Sequence, residues 1–156
     1  MALSPFAASR PEATSLVTRG ARRYLAARDF ASLTEFSPAR GLRADLFAIA
    51  PDGEIWIIEV KSSLADYRAD AKWRDYQPWC DRLFFAVAPD FPRNELPDDV
   101  GLMIADGFGA EPVRDGPLEK LPAARRKALT KSFARQAARR LLLFEDPEFD
   151  RFRETS

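Results

Sequence analysis

The sequence predicts an α/β fold in which a mixed central sheet is flanked by helices. The expected order is α-β-β-β-α-β, then a small hairpin and a long C-terminal helix. Three observations carry this. Segments 43–50 and 54–61 have strand composition and are joined by Pro51-Asp52-Gly53, a tripeptide suited to a hairpin loop. Segment 54–61, the helical stretch after it and the hydrophobic run 83–88 form a βαβ unit, whose two strands run parallel. Both faces of the hairpin strands are largely apolar, as in central strands covered by helices.

Residues 1–10 read as a flexible tail and 11–156 as a single domain, long enough to bury a core. From 11 to 28 the pattern is an amphipathic helix, with Pro11 in its first turn and Leu16, Tyr24 and Leu25 among its apolar positions. A short strand at 32–36 is broken by Pro38 and Gly41. In the hairpin, pairing Ala50 with Glu54 places Ile49 opposite Ile55, Phe47 opposite Ile57, Asp45 opposite Glu59 and Arg43 opposite Lys61. All eight share one face, while Leu46, Ala48, Trp56 and Ile58 line the other. Ser63 and Asp66 resemble a capping box opening a helix to residue 79. On it Asp66, Asp70, Trp73 and Gln77 fall near one face, and Asp70 and Arg74 have ion-pair spacing. The later hairpin joins 102–105 to 110–114 through Asp106-Gly107-Phe108-Gly109. The final helix, 123–144, carries a basic ridge of Lys127, Lys131, Arg135 and Arg139 and an apolar ridge of Leu129, Phe133, Ala137 and Leu141.

Composition narrows the chemistry. Hydrophobic residues make up 46% and charged residues 31%, ordinary for a globular protein, and the formal net charge is zero, so any nucleic-acid contact must be local. One cysteine, Cys80, argues against a disulfide framework. The absence of histidine excludes a conventional zinc site and any histidine-based triad. What remains is carboxylates, lysine and a hard metal. No apolar run has membrane-spanning length and the N-terminus lacks a signal-peptide profile, so a cytoplasmic location without membrane partners is expected.

Opposed side chains on antiparallel strands lie roughly 4.5–5.5 Å apart, so Asp45 and Glu59 would repel unless a divalent cation such as Mg²⁺ or Mn²⁺ sat between them. Lys61 points into the same site, where an ammonium can face a phosphate or orient a water. The plainer alternative is a solvated sheet rim neutralised by Arg43 and Lys61. Glu35 is a candidate third acid and Glu12 a weaker one; Gln77 or Lys72 could reach a phosphate, or be surface residues. Trp56, Trp73, Tyr76 and Trp79 read as core, and Cys80 as a packed residue. The ridge Lys127, Lys131, Arg135 and Arg139 suits phosphate backbone, and equally a solvated face.

The acid of the hairpin, the Glu59-Val60-Lys61 triplet and the crossover helix resemble the PD-(D/E)XK nuclease superfamily. The wider string looks like its bacterial MmcB-like DNA repair family across residues 10–142: Arg43-Ala44-Asp45, Glu59-Val60-Lys61-Ser62-Ser63, Asp70-Ala71-Lys72-Trp73-Arg74-Asp75-Tyr76, Cys80-Asp81 and Arg125-Arg126-Lys127-Ala128-Leu129. The resemblance implies a restriction-endonuclease-like core, with Asp45, Glu59 and the Val60 backbone carbonyl as Mg²⁺ or Mn²⁺ ligands and Lys61 as the catalytic lysine. Glu35, Arg43 and Gln77 are supporting candidates. Ala44 stands where proline often precedes the acid, and Thr18 and Arg19 stand where a first-helix acid is sought. The expected function is metal-dependent hydrolysis of DNA phosphodiester bonds in repair; the alternative is a non-catalytic DNA-binding module that recruits a partner. A weaker third reading is a protein-interaction domain. Expected partners are DNA and either a second copy or another repair protein.

Overall fold

The turn 51–53 closes as its residues require. Gly53 adopts φ +92°, a left-handed conformation open to glycine, and the N–H groups of Gly53 and Ala50 donate to Ala50 O and Glu54 O, each at 2.9 Å. This closure sets the register between β2 (Ala44–Ile49) and β3 (Ile55–Lys61), which follow β1 (Ala31–Phe36). Ile49 lies opposite Ile55 and Phe47 opposite Ile57, the expected alignment. The computed structural model describes residues 10–154, so all of the expected tail but Arg10 lies outside the described residues.

Two compact units divide the chain after Leu121. In the first, β4 (Arg82–Val87), β5 (Gly101–Ala105) and β6 (Ala110–Arg114) complete a six-stranded sheet in sequential order. β1, β2 and β3 pair antiparallel, β3, β4 and β5 parallel, and β6 antiparallel to β5. The mixed sheet, flanking helices and C-terminal helix match the α/β expectation. α1 (Arg10–Ala26) buries Val17, Ala21 and Leu25 against Leu46, Ala48, Ile58, Val60, Phe84 and Met103. Each of the larger side chains among these, such as Val17 and Leu25, contributes about 1.5–3 kcal/mol by leaving water. At Gly20 a Cβ would stand 1.9 Å from Asp106 O and 2.4 Å from Gly109 O, so only glycine lets α1 approach the β5–β6 turn this closely.

The opposite sheet face differs from expectation. Instead of one helix to residue 79, α2 (Leu64–Ala69) stops early and a 3-10 helix (Trp73–Trp79) follows. Ser63 caps α2 as expected, its Oγ accepting the Asp66 N–H at 3.1 Å. Asp70 then leaves the helix, because its carboxylate takes Lys61 Nζ at 2.6 Å and the Lys72 N–H at 2.9 Å. The Asp70–Arg74 ion pair is therefore replaced: Arg74 binds Asp99 at 2.9 Å. Resuming as a 3-10 helix buries Trp73 and Tyr76, and the rings of Trp73 and Tyr67 meet Phe85 edge-on at 5.0 and 5.6 Å.

Buried Asp81 ties the turn end of the hairpin to the segment leaving the sheet. Its carboxylate accepts the Ile55 N–H at 2.7 Å and the Leu121 N–H at 2.9 Å. The second unit contains α3 (Ala123–Glu145) and a short α4 (Phe149–Glu154) that the sequence reading did not foresee. Leu129 and Phe133 are buried, but Leu141 is 56% exposed, so the apolar ridge ends sooner than expected. No described helix is long and apolar enough to cross a membrane.

Candidate active site at the end of the hairpin

The recorded β2–β3 pairing ends at Leu46–Ile58, and one residue further on side chains replace the ladder. The Asp45 N–H donates to Glu59 Oε2 at 3.0 Å, and the Val60 N–H donates to Asp45 Oδ2 at 2.8 Å. The two carboxyl groups are close enough for each to shift the titration of the other. Glu59 is 3% exposed and Asp45 half-buried. Burial, followed by the charge of Asp45, pushes Glu59 up to about 9. Burial raises Asp45 as well, against the opposing pull of the Val60 N–H, Glu59 and Lys61. In the metal-free protein at neutral pH the pair therefore holds a proton in common.

Lys61 is buried on the same face, and its charge acts on both carboxyl groups. Burial would raise Asp70, but the bond from Lys61 and the Lys72 N–H outweigh it and hold the carboxyl below its usual range. The Tyr76 O–H donates to Arg43 O at 2.7 Å, fastening the chain just before β2. Burial, then the charge of Glu59, pushes this phenol up to about 12, so it stays a donor. The Arg43 side chain is exposed.

Asp45 and Val60 border a cavity of about 750 Å³ between α1 and β1, which Glu35 also lines. Glu35 lies between the pairs Thr34–Leu46 and Phe36–Ala44, level with Asp45, and its φ of +51° is strained for a residue with a side chain. Glu12 is exposed and does not border the cavity. Among the described residues no three histidine, cysteine, aspartate or glutamate side chains gather as a metal cluster. The residues that could hold a metal here are Asp45 and Glu59, together with the Val60 carbonyl that the resemblance implies. One buried and one half-buried carboxyl group side by side, offering only oxygen atoms, fit a hard divalent cation whose remaining ligands are water or phosphate oxygens.

Other candidates sit elsewhere. Gln77 lines a separate small cavity with Cys80, Asp81 and Asp99. Lys72 is exposed and contributes its N–H to Asp70. Cys80 is buried, and burial above all pushes its thiol up to about 12, which suits a packed residue and not a nucleophile. Trp73 and Tyr76 are buried, and half-buried Trp56 stacks on Phe84 at 4.5 Å. In the second unit Lys131, Arg135 and Arg139 line a groove of about 800 Å³ with Gln136 and Phe149, while Lys127 is exposed outside it. Arg139 binds Asp150 of α4 at 3.0 Å. The sequence reading missed Arg19, Arg22 and Arg23 as cavity residues; their four-residue spacing from Ser15 and Thr18 was the available signal.

A search of curated proteins finds no match. Among solved structures the chain is similar to the SPO1766 protein of unknown function from Silicibacter pomeroyi. The two share 50% sequence identity over 95% of this chain and 96% of the other, with a TM-score of 0.84. The family model described as "DNA repair protein MmcB-like" matches residues 4–148. With nearly the whole chain covered, the protein belongs to the MmcB-like family.

Proposed function

We propose that this protein is a metal-dependent nuclease that hydrolyses DNA phosphodiester bonds during repair. The observation carrying the reading is the pair of bonds across β2 and β3, from the Asp45 N–H to the Glu59 carboxyl and from the Val60 N–H to the Asp45 carboxyl, with Lys61 on the face of the two acids. Asp45, Glu59 and the Val60 carbonyl would hold Mg²⁺ or Mn²⁺, which when bound supplies Lewis-acid polarisation of phosphate and acidifies a water. The Val60 N–H fixes one Asp45 oxygen and the Asp45 N–H fixes one Glu59 oxygen, so neither carboxylate needs reorienting. Asp70 fixes the Lys61 ammonium, a proton donor placed to steady a phosphate oxygen or the attacking water.

The family's DNA repair description and the oxygen-only donor set support this reading. One observation favours a second: α1 offers Thr18 and Arg19 to the cavity and no acid, which suits a module that binds DNA without cutting it and recruits a partner. Cleavage of single-stranded, duplex, flap and branched DNA with Mg²⁺ or Mn²⁺ separates the two. The nuclease reading expects cleavage that disappears in Asp45→Asn and Lys61→Ala; wild-type cleavage by Lys61→Ala would refute it.

A further inference from the structure

The cavity that ends at Asp45 is walled by two rows of α1 residues. Thr14, Thr18 and Arg22 form one, bordering the buried stripe of Val17, Ala21 and Leu25, and Ser15, Arg19 and Arg23 form the other on the helix side away from it, each at four-residue spacing. The opposite wall is Phe30 followed by Ser32, Thr34 and Glu35, so β1 leads along it towards Asp45. Arg22 donates to Ser32 Oγ at 3.1 Å and Ser32 O at 3.2 Å, which places the later half of α1 at the Phe30 end. Thr14 and Ser15, half a helix earlier, therefore lie towards the carboxylates.

The charges are sorted along this path. Guanidinium groups occupy the Phe30 end and carboxylates the other. Among the described residues neither Arg19 nor Arg23 has an acidic partner, so neither is committed to holding the fold together. Arginines beside hydroxyl groups are the usual equipment for phosphate oxygens. The half-buried Phe30 ring, braced against Trp56 at 4.7 Å, adds an apolar surface for a base. An open groove of about 750 Å³ has room for a few linked nucleotides of one strand and not for a paired duplex within it.

The geometry points to a single-strand groove: a polynucleotide strand lies between α1 and β1 with its phosphates on Arg19, Arg22 and Arg23, and runs down to Asp45. This assignment rests on the nuclease reading for the fate of the strand, but not for its binding. It names the substrate form as an unpaired strand or a frayed end.

The test is fluorescence anisotropy of a labelled single-stranded oligodeoxynucleotide with the full chain in EDTA, where binding is read apart from cleavage. Arg19→Ala/Arg23→Ala, whose melting curve verifies folding, is expected to weaken binding about twentyfold at 0.1 M salt. Its log–log salt slope should fall by about 1.4, the share of two phosphate contacts on a single strand. Asp45→Asn should bind at least as tightly as wild type. Unchanged affinity in the double variant overturns the groove, as does equal binding of a blunt duplex. Competition by a deoxynucleoside monophosphate as effective as the oligonucleotide also overturns it, because the site would then take free nucleotides. Strand binding that needs Arg19 and Arg23, with no cleavage of any DNA, would refute the nuclease and leave the groove standing. Cleavage at the wild-type rate by Arg19→Ala/Arg23→Ala would do the reverse.

Discussion

Replacing Glu59 with glutamine should stabilise the metal-free protein at alkaline pH while abolishing cleavage. Glu59 is 3% exposed, and burial followed by the Asp45 charge moves its pKa from an ordinary 4.5 to about 9. Between those values the unfolded chain has lost the proton and the native protein keeps it. The native state then binds more protons than the unfolded one, so stability falls as pH rises through this window. Below 4.5 both states are protonated, and above about 9 both are ionised, so the slope from this group vanishes outside. One pH unit corresponds to about 1.4 kcal/mol, so from pH 5 to 8 the wild type should lose on the order of 4 kcal/mol from this group. A glutamine carboxamide imitates the protonated carboxyl: its oxygen still accepts the Asp45 N–H and its NH₂ donates to the Asp45 carboxylate. Urea unfolding in EDTA at pH 5 to 8 should show the declining wild-type stability flattened in Glu59→Gln, with the two converging near pH 5. Parallel profiles across that range would refute the reasoning.

Four further outcomes follow from the same packing and hydrogen bonding. Asp81→Ala strands the buried N–H groups of Ile55 and Leu121 and should cost about 3 kcal/mol by urea unfolding, while Asp81→Asn keeps part of the pairing and should cost less. Gly20→Ala drives a methyl into the backbone oxygens of Asp106 and Gly109, neither of which can swing aside; thermal melting should report a loss of about 2 kcal/mol. Asp70→Asn removes the counter-ion of buried Lys61 and should destabilise the protein by about 2 kcal/mol at pH 7. Because the Asp70 carboxyl is depressed from an ordinary 3.8, that difference should shrink as acid titrates it, measured by unfolding at pH 7 and below pH 3.

The hairpin was legible in the sequence because each level agreed. Period-two alternation, β-branched composition and Pro51-Asp52-Gly53 together permit one alignment, and a slip by one residue would have turned Asp45 to the wrong face. The parallel β3–β4 pairing followed from connectivity alone. What failed was the helix to residue 79, because its local pattern competes with a tertiary contact: Lys61 draws Asp70 out of the helix. The α1 cavity was illegible for a related reason. The polar rows of an amphipathic helix look like solvated surface until Phe30, Ser32 and Thr34 are known to face them. Asp81 was visible as part of a motif, yet only the structure reveals it as a structural clamp.

The carboxylate pair is the centre of the account, and titration of the metal-free protein with Mn²⁺ by calorimetry at pH 7, in two buffers of different ionisation enthalpy, addresses it most directly. Because Glu59 holds its proton up to about 9, binding should release about one proton per ion and should disappear in Asp45→Asn. Binding without proton release, or binding undiminished in Asp45→Asn, would contradict it.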